Sequence, residues 1–117
     1  MAIGIKQILY LSKGLKKSNT TVNMLNNGDI EIYYYQTKIV YIEKGTGVIG
    51  LNNGSHYTKS AKDRINQVLD YLNLPIRVFQ QKKEWYAEIK YENNEISLYK
   101  FNKDGQCIVY LALGKKS

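Results

Sequence analysis

Five clusters of Asn, Asp and Gly interrupt the chain at short intervals: Asn26-Asn27-Gly28-Asp29, Lys44-Gly45-Thr46-Gly47, Asn52-Asn53-Gly54-Ser55, Glu92-Asn93-Asn94-Glu95 and Asn102-Lys103-Asp104-Gly105. These residue types tolerate the positive φ that tight hairpins demand. Between the clusters lie β-branched and aromatic runs of strand length, which predicts strands at 20–25, 30–36, 38–42, 47–51, 76–81, 85–91, 96–101 and 107–113. Such spacing argues for an antiparallel meander rather than βαβ units. The strands alternate. Trp85, Ala87, Ile89 and Tyr91 point one way and Tyr86, Glu88 and Lys90 the other, while Ile96 and Leu98 oppose Ser97, Tyr99 and Phe101. One face of each strand is meant for a core, and tyrosines populate the second.

One helix interrupts the meander. Ala61, Ile65, Val68, Leu69 and Leu72 form a single apolar stripe at helical spacing, which predicts a helix over 60–73. Ser60 reads as its N-cap, with Asp63 in the place of a capping-box acid, and the helix must stop before Pro75. Residues 3–16 read either as helix or as a strand, with helix the preferred reading. The expected fold is one α+β domain of 117 residues, a mostly antiparallel meander of seven or eight strands, curled or split in two, on one central helix. A second, N-terminal helix accompanies it on the preferred reading. Ile32, Ile39, Ile65, Val68, Leu69, Leu72, Val78, Ile89, Leu98, Val109 and Leu111 are the expected core, and four strands on either side of the helix suggest a coarse pseudo-symmetry.

Little in this chain suits catalysis. The single cysteine, Cys107, excludes an intrachain disulfide, and no Cys/His cluster exists to hold zinc. Cys107 and the lone histidine, His56, permit at most one Cys–His pair; a buried thiol and a solvated loop imidazole are the simpler readings. Glu84, Glu88, Glu92 and Glu95 cluster only in sequence, and Gly45-Thr46-Gly47 lacks the lysine and helix of a phosphate-binding loop. We therefore expect no catalytic residues, no metal and no cofactor. No run approaches the ~18 apolar residues of a membrane helix, and no signal peptide opens the chain, so an intracellular protein is expected.

The informative feature is charge: 17 Lys and Arg against 10 Asp and Glu give a net +7. Around the helix start, Thr58 and Ser60 offer hydroxyls beside free N–H groups, and Lys59, Lys62 and Arg64 add positive charge, an arrangement suited to a phosphate. The competing reading is structural: Ser60 caps the helix and Asp63 neutralises Lys59. Basic residues also interleave with aromatics, as in Tyr33-Tyr34-Tyr35 before Lys38, Lys82-Lys83 before Trp85-Tyr86, and Lys100 between Tyr99 and Phe101. Rings on a basic sheet stack bases while lysines hold phosphates, although tyrosine also serves as a core aromatic or a protein-binding anchor. The pairs Lys16-Lys17 and Lys115-Lys116 add electrostatic attraction at the ends.

Tyr35-Gln36-Thr37-Lys38-Ile39-Val40, Leu51-Asn52-Asn53-Gly54, the run from Tyr57 through Asn66, and Val78-Phe79-Gln80-Gln81-Lys82-Lys83-Glu84-Trp85-Tyr86 resemble a group of small phage and mobile-element proteins. Their shared pattern is a Tyr-x-Thr strand, an Asn-x-Gly turn, a Thr-rich helix start ending in Arg-x-Asn, and a Gln-Lys…Trp hairpin. The likeness covers somewhat under half the chain, and Ser60 and Ala61 stand where the group tends to have threonines. The resemblance implies an accessory protein acting in the host cytoplasm and supplies no catalytic residues. The leading expectation is a binding module that contacts nucleic acid through Thr58, Lys59, Ser60, Lys62, Arg64, Lys82, Lys83 and Tyr86. The alternative is an inhibitor or adaptor acting on a host defence protein. Open strand edges suit either a monomer or a homodimer.

Overall fold

The structure of the protein, a computed structural model, describes residues 19–111. Eight strands and one helix follow in chain order: β1 Thr20–Met24, β2 Ile30–Tyr34, β3 Thr37–Ile42, β4 Val48–Asn52, α1 Lys59–Tyr71, β5 Ile76–Gln81, β6 Glu84–Lys90, β7 Ile96–Lys100 and β8 Gln106–Tyr110. Segment 3–16, the pairs Lys16-Lys17 and Lys115-Lys116, and the end of the last expected strand lie outside the described residues.

The strands form two sheets, β1-β2-β3-β4-β8 and β5-β6-β7, antiparallel at every junction. Of the curled and split alternatives, the split one holds. The order of four strands, helix and four strands holds along the chain, but the sheets divide five and three, because β8 leaves β7 at the Asn102–Gly105 turn and pairs with β4. The reason is apolar matching: Val109 lies opposite Ile49 and Cys107 opposite Leu51, so β8 completes two buried rows of the larger sheet. Both inner faces and the Ala61, Ile65, Val68, Leu69 and Leu72 stripe of α1 share one buried cluster. Among the described residues no helix is long and apolar enough to cross a membrane.

The helix differs from expectation at both ends. Thr58, not Ser60, is the N-cap; its side chain accepts the Ala61 N–H at 3.2 Å. Ser60 sits exposed in the first turn, and Asp63 pairs with Lys59 at 2.7 Å rather than closing a capping box. At the other end Asn73 is left-handed (φ 57°) and the Asn73 and Leu74 N–H groups donate to the Asp70 and Leu69 carbonyls. That pattern is a Schellman motif, so the helix proper stops at Tyr71. From mid-helix, the Asn66 amide donates to the Val78 carbonyl at 2.8 Å and accepts the Val78 N–H at 2.7 Å. It thereby covers the free edge of β5 and ties α1 to the smaller sheet.

Leu98 is a correction: it is 57% exposed. Both faces of β7 looked acceptable in sequence, but pairing with β6 decides between them. Tyr99 lies opposite the small Ala87 and fills the inner face, which turns Leu98 outward beside Glu88. The other expected core residues are buried. A bulge in β3, opposite the Ile32/Tyr33 step of β2, lets Ile39 and Val40 bury in succession.

Asp29 fastens two turns together. Its carboxylate accepts the Lys44 N–H at 2.9 Å and the Tyr41 hydroxyl. The Lys44 N–H first, then the Tyr41 hydroxyl, hold the carboxyl below its ordinary range against the opposing effect of burial. The same hydrogen bond leads the causes that push the Tyr41 phenol up to about 12.

Two predictions follow from this packing. Ile89→Ala, on the inner face, should cost about 2–5 kcal/mol in denaturant unfolding, whereas Leu98→Ala should change stability by less than about 0.5 kcal/mol. The second concerns pH. The folded Asp29 carboxyl titrates lower than the unfolded one, so its contribution is present above the ordinary carboxylate range and is lost as pH falls through the folded value. The folded Tyr41 phenol titrates higher, so its contribution is intact below pH about 10 and is lost as pH rises toward 12. Urea midpoints across pH should therefore show Asp29→Asn flattening the acid limb and Tyr41→Phe flattening the alkaline one.

Candidate functional site

The β5–β6 hairpin joins Gln81 to Glu84 through two residues, Lys82 and Lys83, with φ of 52° and 69°. Positive φ at both central positions is the type I′ geometry that Asn-Gly adopts with ease and lysine does not. Behind this tip lies a cleft of about 610 Å³, lined by Tyr57, Trp85 and Phe101 with Lys83, Lys100 and Lys103 at its sides. Tyr57 and Phe101 both stand edge-on to Trp85, at 5.7 and 5.5 Å between centroids. The Trp85 indole N–H is buried without an acceptor among the described residues. The Tyr57 hydroxyl donates to the Lys103 carbonyl at 3.3 Å, which fixes the ring against the β7–β8 turn.

The charges here are only partly spent. Lys100 lies 3.6 Å from Glu84, while among the described residues neither Lys83 nor Lys103 has a carboxylate partner. Of the other cations, Lys38 pairs with Glu31 at 2.9 Å on the outer face of the larger sheet, and Lys59 pairs with Asp63.

The residues singled out in sequence divide between two places. Lys83 lines the lysine cleft, and Lys82 shares its tip. Thr58 and Ser60 line a second cavity, with Tyr34, Tyr35, Asn53 and His56. Lys59 is exposed and Lys62 half-buried on the first turn of α1. Arg64 turns back onto the molecule: its guanidinium lies 5.2 Å from the Tyr34 ring centroid and donates to the Gln67 side chain. Tyr86, on the outer face of β6, stacks on Phe79 at 5.5 Å. Cys107 is buried on β8, and burial pushes its thiol up to about 11. His56 is exposed in the loop before α1.

Tyr57, Trp85, Phe101, Lys100 and Lys103 were not among the expected site residues, because three separate segments meet to build the cleft. One local signal was available. A two-residue loop between alternating strands asks for Asn-Gly, and this chain writes Lys-Lys.

Compared with known proteins, residues 3–108 match the model of the family described as Kyanoviridae Gp96 protein. No curated protein and no solved structure matches the chain.

Proposed function

Because the chain belongs to the Kyanoviridae Gp96 protein family, a phage family, we propose that it is a non-catalytic phage accessory protein that binds nucleic acid in the host cytoplasm. The observation that carries this reading is the left-handed Lys82-Lys83 tip beside the Tyr57–Trp85–Phe101 cleft. Left-handed backbone costs a residue other than glycine about 1–2 kcal/mol. Asn-Gly would form the same turn without that penalty, so the two lysines are kept for their charge rather than for folding. Lys82, Lys83, Lys100 and Lys103 then take phosphates, and the exposed Tyr57 ring stacks a base of a single-stranded segment. Thr58, Ser60, Lys62 and the Asp63-paired Lys59 lie at the start of α1, away from this cleft, while Arg64 is turned onto Tyr34 and Tyr86 onto Phe79.

Binding of labelled single-stranded oligonucleotides, followed by anisotropy at two salt concentrations, tests the proposal. Affinity should fall steeply with salt. The double variant Lys82→Asn/Lys83→Gly should raise Tm by roughly 4–8 °C per kcal/mol of strain relieved, yet bind more weakly. Its log–log salt slope should be smaller by about 1.4, two single-strand phosphate contacts at ~0.7 each. No binding at low salt, or undiminished binding by the stabilised variant, refutes the reading.

A second reading, a protein-binding inhibitor or adaptor for a host defence factor, rests on another surface. Ile96 and Leu98 on β7 and Ile108 and Tyr110 on β8 are exposed, and each strand ends its sheet. On this reading they anchor a partner protein or a second copy of the chain. Capture of one stoichiometric host protein should then survive nuclease treatment and be lost in Leu98→Asp/Ile108→Asp, while Lys82→Asn/Lys83→Gly retains it. Capture that disappears with nuclease rejects this second reading.

A further inference from the structure

The second cavity, about 370 Å³, opens between the β2–β3 turn, the Asn53 loop and the first turn of α1. Its volume is within the range of small-molecule sites. Asn53 lines it and is only 1% exposed. The Asn53 Oδ1 accepts the Ser55 N–H at 2.8 Å, which fixes the orientation of the amide. A side-chain carbon at Gly105 would overlap that same oxygen, so the amide is also held by close packing. Its Nδ2 is left buried with no acceptor among the described residues. Unanswered buried donors are rare, and each calls for an explanation.

Further donors lie at the start of α1. Thr58 is occupied as the cap of α1, but among the described residues the N–H groups of Lys59 and Ser60 have no acceptor, and the Ser60 hydroxyl is exposed beside them. These groups sit at the positive end of the helix dipole. Arg64, whose Nε is buried without a partner, adds its charge behind Tyr34. The remaining wall is Tyr34, Tyr35, Ile39 and Ala61 with the polar side chains of Thr37 and His56. Tyr34 and Tyr35 hold their rings 4.7 Å apart, and Ile39 and Ala61 close the floor.

Tyr35 supplies an independent sign of use. It has a φ of 56° and is 64% exposed. A bulky residue in that region of backbone space is strained, and here its ring earns little burial in return. As at the lysine tip, the side chain is kept where glycine would fold better.

We propose that this cavity binds a nucleoside monophosphate, with the phosphate on the N–H groups of Lys59 and Ser60, the base against Tyr35, and a base acceptor on Asn53 Nδ2. The ligand is either a free nucleotide or the 5′-phosphorylated end of a strand; both present the same chemistry. The site is separate from the lysine cleft and does not depend on it.

Calorimetric titration of the full chain tests this with the 5′-monophosphates of adenosine, guanosine, cytidine and uridine, with ribose 5-phosphate and with inorganic phosphate. At least one mononucleotide should bind one-to-one, more tightly than ribose 5-phosphate or phosphate. Tyr35→Gly should be folded and more stable, yet bind that nucleotide roughly tenfold or more weakly, the factor that loss of one base–aromatic stack carries. Asn53→Asp keeps the acceptor for Ser55 and removes the donors, and should likewise lose binding. Lys82→Asn/Lys83→Gly should bind the mononucleotide as the parent does. Competition by a 5′-phosphorylated oligonucleotide, and not by its 5′-hydroxyl form, would identify a strand end as the source; competition by neither, a free nucleotide. The proposal is overturned if no mononucleotide binds at millimolar concentration, if inorganic phosphate binds as tightly, or if folded Tyr35→Gly and Asn53→Asp bind unchanged.

Discussion

The departure of β8 from its own hairpin is the constraint on which the two cavities depend. Had β8 stayed beside β7, the second half of the chain would form a free-standing four-stranded sheet. Instead Cys107 and Val109 align with Leu51 and Ile49, and the Asn102–Gly105 turn is drawn across to the loop after β4. There the Asn53 N–H donates to the Gly105 carbonyl at 2.9 Å and the Tyr57 hydroxyl reaches the Lys103 carbonyl. The first contact buries the Asn53 amide; the second stands Tyr57 against Trp85. One apolar register thus sets the geometry of two polar sites on either side of the same loop.

The backbone records where folding and function pull apart. Several residues besides glycine have left-handed φ, and Asn19, Asn73 and Asn94 do so at little expense, since asparagine tolerates that region. Tyr35, Lys82 and Lys83 do not share this tolerance. They occupy the tips of two hairpins and present a ring and two ammonium groups beside the two cavities. Ser55 (φ 66°), in the loop before α1, is left-handed as well, so strain marks the cavity-lining Tyr35 and Lys83 without being confined to cavity walls.

Much of the fold was legible because its signals are local. Asn/Gly clusters place turns within a few residues, and the Ala61–Leu72 stripe needs no partner to be recognised. What was missed was non-local. Leu98 and Tyr99 are equally apolar in sequence, and only Ala87 across the strand pair decides which one enters the core. Ser60 and Thr58 are both good caps; the chain bends at Thr58, where φ −113° and ψ 157° end the extended loop. The candidate site was half legible for the same reason. Lys83, Thr58 and Ser60 do line cavities, but their companions Trp85, Tyr57, Lys103 and Asn53 are assembled by sheet pairing that no short motif encodes. Arg64 shows the converse. Its charge was visible, but its stacking on Tyr34 was not.

The direction of the unmet hydrogen bonds carries the argument one step further. Among the described residues the buried side-chain atoms without a partner are Asn53 Nδ2, Arg64 Nε and Trp85 Nε1. All three are N–H donors, and none is an acceptor. Asn53 lines the smaller cavity, Trp85 the lysine cleft, and Arg64 lies against Tyr34 at the wall of the smaller cavity. Leaving such groups unanswered is costly in a folded core, and a random scatter of packing faults would strand carbonyls and carboxylates as readily as amides. These donors lie beside aromatic rings in a chain carrying a net +7 charge, and on that balance rests the proposed binding of a ligand that is rich in acceptors, negatively charged and planar. The nucleoside monophosphate proposed above meets all three requirements at once. An acidic peptide meets the first two, and brings a planar ring for Tyr35 or Tyr57 only where it carries an aromatic residue.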